Sequence, residues 1–323
     1  MVLVTLVALV LGALLFRRLV IDYLFPEVTC PVFMGGKTAV VTGGSSGLGY
    51  EIVLALASRG CKVVIADKIS DQSIRDELIR KTNNPDISIY HLDLGSFASV
   101  RAFAEQLRKN VDKVDILFNN AGVGGNDQRL TEDGVNFVYQ INYYGGFLLT
   151  HLLLDLLKKS QSGKIFFTSS PVAYFHNLNK FDRKQLTTEA SLYNYSSTKC
   201  LYIICSDQFA DKLRQFNITS NAWHPIGAAT QIFRGTVNQT KGSYTFIPYL
   251  LWITALILTP EPRRVVMRAI YLACAKEMES VSGKLFSPRG ETFKPPITRD
   301  KQFCQQIWEF SEEVVKLRPE EKL

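Results

Sequence analysis

Residues 37–49 read Lys-Thr-Ala-Val-Val-Thr-Gly-Gly-Ser-Ser-Gly-Leu-Gly, an apolar run that ends in a cluster of small residues. Lys37 to Thr42 predicts a buried strand, Gly43 to Gly49 a turn, and the residues on to Arg59 a helix. A strand, a glycine turn and a helix together make a phosphate cradle. Small residues let the backbone approach a pyrophosphate, and the first turn of the helix offers free N–H donors and partial positive charge. The candidate contacts here are Thr42, Gly43, Ser45, Ser46, Gly47, Leu48 and Gly49. Their spacing is TGxxxGxG, not the commoner GxGxxG. Gly43 to Gly47 also satisfies GxSxG, the elbow that carries a hydrolase serine, here Ser45. That chemistry needs an acid and then a histidine downstream. Of the four histidines, 91, 151, 176 and 224, the last could serve, but nothing selects it.

A strand–helix alternation continues on the C-terminal side. Cys61 to Asp67 predicts a second strand, with Asp67 at its carboxyl end, 18 positions after Gly49. An acid there binds a ribose 2′-hydroxyl and repels a 2′-phosphate, which favours NAD(H). Lys68 admits NADP(H), because its charge suits the extra phosphate. The third strand, Ile87 to Leu92, leads to Asp93 and Leu94, placed to meet an adenine; the fourth, Val114 to Phe118, runs into Asn119-Asn120-Ala121-Gly122 beside the cofactor. The expected fold is α/β, a doubly wound parallel sheet in a single domain over 37–323.

Further along stands Tyr195-Ser-Ser-Thr-Lys199, with Leu201, Ile204, Phe209 and Leu213 predicting a helix over about 195–215. Positions i and i+4 share a face, so a phenol and an ammonium lie side by side. A tyrosine with an ordinary pKa of about 10 keeps its proton at neutral pH, and a fixed positive charge nearby favours the phenolate. Such a pair can take a proton from an alcohol or return one to a carbonyl.

The chain has 323 residues, 46% of them hydrophobic and 21% charged, with a net charge of +7. That balance suits a nucleotide-binding or membrane-surface protein, and no basic cluster with interleaved aromatics points to nucleic acid. The six cysteines lie apart except for Cys200 and Cys205 and form no CxxC, so reduced thiols and no metal site are expected. Residues 1–16 carry no charge and are followed by Arg17-Arg18, a pattern that predicts a membrane anchor over 1–25 with a link over 26–36. Sixteen helical residues rise only about 24 Å against a hydrocarbon core of about 30 Å, so the span uses the second apolar patch or sits in one leaflet. A cleaved signal peptide lacks support, having neither a basic start nor a small-x-small cleavage site. The arginines place the following domain in the cytosol. Of the sequons at Asn194, Asn217 and Asn238, the first adjoins Tyr195, where a glycan would obstruct the site.

In order, TGxxxGxG at 42–49, Asp93, NNAG at 119–122, Asn142, Ser170 and YxxxK at 195–199 resemble the short-chain dehydrogenase/reductase family over roughly residues 35–290. The 25-position gap between Ser170 and Tyr195, with His176, Asn177 and Phe181, is similar to the retinol and polyprenol dehydrogenase branch. So are residues 133–157 and Ser282 to Phe286. The resemblance implies Tyr195 as general acid or base and Lys199 as the group that lowers its pKa and binds the nicotinamide ribose. It implies that Ser170, with Ser169 as the rival, bonds the substrate oxygen, and that Asn142, on a helix over about 132–158, holds a water linked to Lys199. It further implies a lipid alcohol or carbonyl substrate, such as a retinoid, polyprenoid or sterol, with room for a homodimer. The address implied is the endoplasmic reticulum membrane, facing the cytosol, or alternatively a lipid droplet.

The family's Pro-Gly turn after the sixth strand is replaced by Pro225-Ile226-Gly227, followed by Ala228 and Thr230 as further candidate contacts. A β-branched residue resists positive φ, so either Gly227 takes over the turn or the nicotinamide end is altered, which would leave a nucleotide-binding membrane scaffold. The apolar stretch 246–258 is too short to span a bilayer and is expected, within 244–260, as a lipid-facing or buried segment. Helices over 261–277 and 300–316 and a strand over Gly283–Ser287 complete the expectation.

Overall fold

A computed structural model of the chain describes residues 2–124, 127–226 and 260–323, with the side chains of the first helix described from Leu14 onward. That helix, α1, spans Val2–Leu24. Then follow β1 (Thr38–Thr42), α2 (Gly47–Ala57), β2 (Lys62–Asp67), α3 (Gln72–Thr82), β3 (Ile87–His91), α4 (Phe97–Asn110) and β4 (Ile116–Asn119). The next helix is segmented into α5 (Phe137–Tyr139), a π turn (Gln140–Tyr144), α6 (Gly145–Leu152) and α7 (Leu154–Lys158). After it come β5 (Gly163–Thr168), a 3₁₀ turn (Pro171–Phe175), α8 (Arg183–Thr187), α9 (Asn194–Lys212) and β6 (Ile218–Trp223). The chain closes with α10 (Pro262–Cys274), β7 (Leu285–Ser287), β8 (Gly290–Thr292) and α11 (Lys301–Val314).

The strands form one sheet in the order β3-β2-β1-β4-β5-β6-β7-β8, in which only the β7–β8 pairing is antiparallel. This is the doubly wound, Rossmann-like arrangement that the alternation predicted. The central strands read as apolar runs because helices cover both faces; every residue of β1 and β4 is buried. One face holds Val40, Leu117 and Ile165 under α4, α6 and α9. The other holds Val41, Ile65 and Phe118 under α2 and α10. Fully burying a side chain of this kind contributes about 1.5–3 kcal/mol relative to leaving it exposed.

The link over 26–36 packs as an extended strap. Cys30 and Met34 are buried, the Arg59 guanidinium donates to the Cys30 carbonyl at 2.8 Å, and the Met34 amide donates to the Arg59 carbonyl at 2.7 Å. Among the described residues no helix is long and apolar enough to cross a membrane. The apolar stretch 246–258 lies outside the described residues.

Candidate active site

All seven parallel strands point their carboxyl ends to one edge of the sheet, and the site is built there. At the end of β1 the chain needs two left-handed residues to turn into α2, and glycine supplies both, at Gly43 (φ +66°) and Gly47 (φ +56°). Gly49 is required by contact, since a Cβ there would overlap the Gly43 carbonyl. Ser46 precedes α2 without a side-chain cap, so the first amides of this helix remain free for a ligand.

Thr42 acts as a pin. Its Oγ1 accepts from the Asn120 and Ala121 amides, both at 2.9 Å, and donates to the Phe118 carbonyl at 3.2 Å. The loop after β4 is thereby held against the glycine turn. At the end of β2, the Asp67 carboxylate accepts from the Ser45 amide at 3.1 Å and the Ile69 amide at 3.2 Å. The Lys68 ammonium meets Asp93 at 2.7 Å. Burial alone would raise the Asp93 carboxyl, but Lys68 and the Gly95 amide outweigh it and hold the group below its ordinary value.

Tyr195 and Lys199 lie in α9, one turn apart, as the sequence predicted. The Lys199 ammonium is 5.7 Å from the centre of the Tyr195 ring and donates to the Thr168 carbonyl at 2.9 Å. Burial pushes Lys199 down to about 8. It also raises the Tyr195 phenol, and a hydrogen bond with Ser170 pulls the other way. In this state Ser170, not the ammonium, opposes the effect of burial on the phenol. Ser169 is turned away from the cleft, its Oγ donating to the Lys199 carbonyl at 2.7 Å, so Ser170 is the serine that faces Tyr195.

Asn142 sits in the π turn, where one extra residue widens the helix. Its Oδ1 accepts from the Val123 amide at 2.7 Å, and its Nδ2 donates to the Val123 carbonyl at 2.8 Å. Gly122 fills the gap beside it, because a Cβ there would lie 3.2 Å from both Asn142 Oδ1 and Lys199 Nζ.

These groups line one cleft of about 430 Å³ that runs from Gly43, Gly47 and Asp67 past Leu94 and Asn120 to Ser170, Tyr195, Lys199 and Pro225. Thr42 and Ser45 stand behind its wall and shape the loops. Gly227, Ala228 and Thr230 lie outside the described residues. Ile226 is part of the wall and takes no positive φ, so the strain expected of a β-branched residue in that turn does not arise at this position. The hydrolase reading finds no geometry: Ser45 Oγ donates to the Ile69 carbonyl, with no histidine among its partners in the described residues.

A family model for short chain dehydrogenase matches residues 37–241. The chain belongs to the short-chain dehydrogenase family. Human retinol dehydrogenase 13 is 32% identical to it over 289 residues, covering 87% of this chain and 85% of its own. Mouse retinol dehydrogenase 14 is 32% identical over 302 residues, covering 88% and 87%. A solved protein from Mycobacterium paratuberculosis shares the fold with a TM-score of 0.67 at 21% identity, over 89% of this chain and 96% of that one. A short chain dehydrogenase from Shigella flexneri, complexed with NADP, does so with a TM-score of 0.60 at 21% identity, over 80% and 100%. This short-chain dehydrogenase is an NAD(P)-dependent oxidoreductase acting on CH–OH groups.

The residues present fit a dinucleotide. Glycine provides the close approach at 43, 47 and 49, and an acid marks the far end of a cleft whose near end carries the Tyr195 and Lys199 pair. Sequence reasoning missed Thr168, Pro171, Val172, Val123 and Ile141 in the wall. The signal for Thr168 was its place at the end of a central strand; the others carry no chemistry that singles them out.

Proposed function

We propose that this enzyme interconverts a hydrophobic alcohol and its carbonyl compound, with Tyr195 as the acid or base at the reacting oxygen. The observation that carries the reading is the convergence of Tyr195, Ser170 and Lys199 on the wall of the cleft that begins at the glycine turn. A bound nicotinamide would supply or accept the hydride. Ser170 would bond the substrate oxygen, while Tyr195, protonated at neutral pH, would give its proton to a developing alkoxide in the reducing direction, and the phenolate so formed would take a proton from the alcohol in the oxidising direction. Lys199, still mostly charged at pH 7, would bind the nicotinamide ribose. Asn142 would hold the Val123 loop under it. Asp67, steadied by two amides, would take the adenosine ribose hydroxyls, which favours NAD(H); Lys68 leaves NADP(H) open.

A lipid alcohol of retinoid, polyprenoid or sterol type suits the apolar wall at Val172 and Ile226 and the names of the relatives. Residues 1–25 would anchor the domain on the cytosolic face of the endoplasmic reticulum membrane or a lipid droplet. Leu14, Leu15, Phe16 and Leu19 are all more than half exposed on α1, which calls for an apolar partner. Asn194 is buried with its Nδ2 bonded to the Glu189 carbonyl, in keeping with a chain that meets no glycosylation machinery there.

The test is a product-resolved screen of lipid alcohols and aldehydes with both cofactors in parallel, on the wild type and Tyr195→Phe. Turnover should fall by about 10²–10⁴ in the variant, with nucleotide binding retained. A protein that binds NAD(H) but converts none of these lipids would favour the scaffold reading.

A further inference from the structure

We propose that the sheet edge carrying the cleft is the face of the domain that rests on the lipid bilayer, so that the mouth of the site opens toward the membrane. The proposal rests on the anchor reading of α1 and adds an orientation to it.

The end of α1 is fastened at this edge. Arg264, in the first turn of α10, donates to the Asp22 carboxylate and to the Phe25 carbonyl, both at 2.8 Å. The Arg289 guanidinium lies 4.1 Å from the centre of the Tyr23 ring. Arg289 occupies the turn just past Ser287, where β7, parallel to β6, reaches the cleft edge. Ile21 and Phe25 are buried, so α1 leaves the domain from a docked base and not from a free tether.

The same edge exposes large apolar side chains around the catalytic helix. Phe175 is 72% exposed, Leu192 81% and Tyr193 51%. Their backbones are held close together, since the Ser196 hydroxyl lies within donating distance of both the Phe175 and the Tyr193 carbonyls, at 3.2 and 2.9 Å, and Leu192 adjoins Tyr193 in the chain. Tyr193 is two positions before Tyr195. Water is a poor neighbour for such a group, and lipid is a good one.

The opposite end of the sheet differs in chemistry. Lys37, Lys62, Lys113 and Lys159 line a shallow depression there with Asp86 and Asp112. Of its exposed aromatics, Phe216 is 36% exposed with the Lys158 ammonium 4.0 Å from its ring centre, and Phe33, 78% exposed, lies across Gly35 and Gly60 and stands alone among these charges.

All six cysteines are buried, so a single introduced thiol can be labelled selectively. Full-length protein carrying Leu192→Cys or Phe216→Cys is labelled with a polarity-sensitive dye and mixed with phosphatidylcholine vesicles that contain nitroxide-labelled lipid. Quenching several-fold stronger at 192 than at 216 is expected. Protein that floats with the vesicles but quenches equally at both sites, or more at 216, overturns the orientation and leaves the anchor standing. Protein that does not float overturns both. As a second measurement, Phe175→Glu with Leu192→Glu should raise KM for a vesicle-borne alcohol about tenfold and leave KM for a short soluble alcohol unchanged; an equal change in both overturns the proposal.

Discussion

Lys199 is held in a place that disfavours its own charge. The residue is 3% exposed, and its pKa falls from the ordinary value to about 8 through burial. Below pH 8 the folded chain carries the full cost of that buried charge, about 3 kcal/mol. The cost disappears only as pH rises from 8 toward the unfolded pKa near 10.5. Among the described residues the ammonium donates only to the Thr168 carbonyl. Lys199→Met is therefore expected to unfold several degrees above the wild type at neutral pH without cofactor, while turnover falls at least about a hundredfold. Paired thermal melts and rate measurements check this, and a variant that melts below the wild type would remove the burial argument. Tyr195 tells the complementary story. The sequence placed an ammonium within a turn of it and suggested an acidified phenol, but the first-order effect in the folded chain is burial, which raises the phenol and leaves it protonated.

At the level of elements, the site depends on how a loop and a helix meet. Asn142 holds Val123 at both its amide and its carbonyl, and it can do so because the π turn presents it to the loop. Gly122 is the point of contact: in Gly122→Ala the new methyl would press on Asn142 Oδ1 and Lys199 Nζ together. We expect kcat to fall about tenfold to a hundredfold, since small displacements at a reacting centre are costly, with the unfolding free energy changed by less than about 1 kcal/mol. A steady-state and urea-denaturation comparison checks it; a loss of stability with kcat intact would place Gly122 in the scaffold alone. The strands at 37–42, 61–67 and 87–92 were legible because buried parallel strands are written as short apolar runs closed by glycine or acid. The π turn was not, because Gln140 to Tyr144 continues the apolar spacing of its helix and one extra residue leaves no trace in the pattern. The helix expected from about 132 begins at Phe137, since Asn136 caps it through the Val138 amide at 3.0 Å. The hairpin strand β8 is three residues long and carries no signal of its own.

At the scale of the whole molecule, acid stability follows from two histidines with no room for a proton. His151 packs among Phe147, Phe209 and Trp308, and His224 follows the last residue of β6; among the described residues neither the His151 Nε2 nor the His224 Nδ1 has a partner. Burial pushes both down to about 4 from 6.5. The unfolded chain therefore binds protons that the folded chain refuses, and stability is lost as pH falls from 6.5 toward 4, by about 2 kcal/mol for each histidine at pH 5. Asp207 works in the opposite sense: burial raises it to about 6 against the pull of Lys294, so the folded chain takes up that proton first and recovers about 1 kcal/mol over the same interval. The histidines prevail, and the net loss between pH 7 and pH 5 is expected to be about 3 kcal/mol. Urea denaturation at the two pH values measures it. His151→Phe keeps an aromatic ring in the cluster and removes one titrating group, so its loss over the interval should be about 2 kcal/mol smaller than that of the wild type. An unchanged pH dependence in that variant would mean that His151 takes up its proton in the folded chain, and that the cluster around Trp308 admits water.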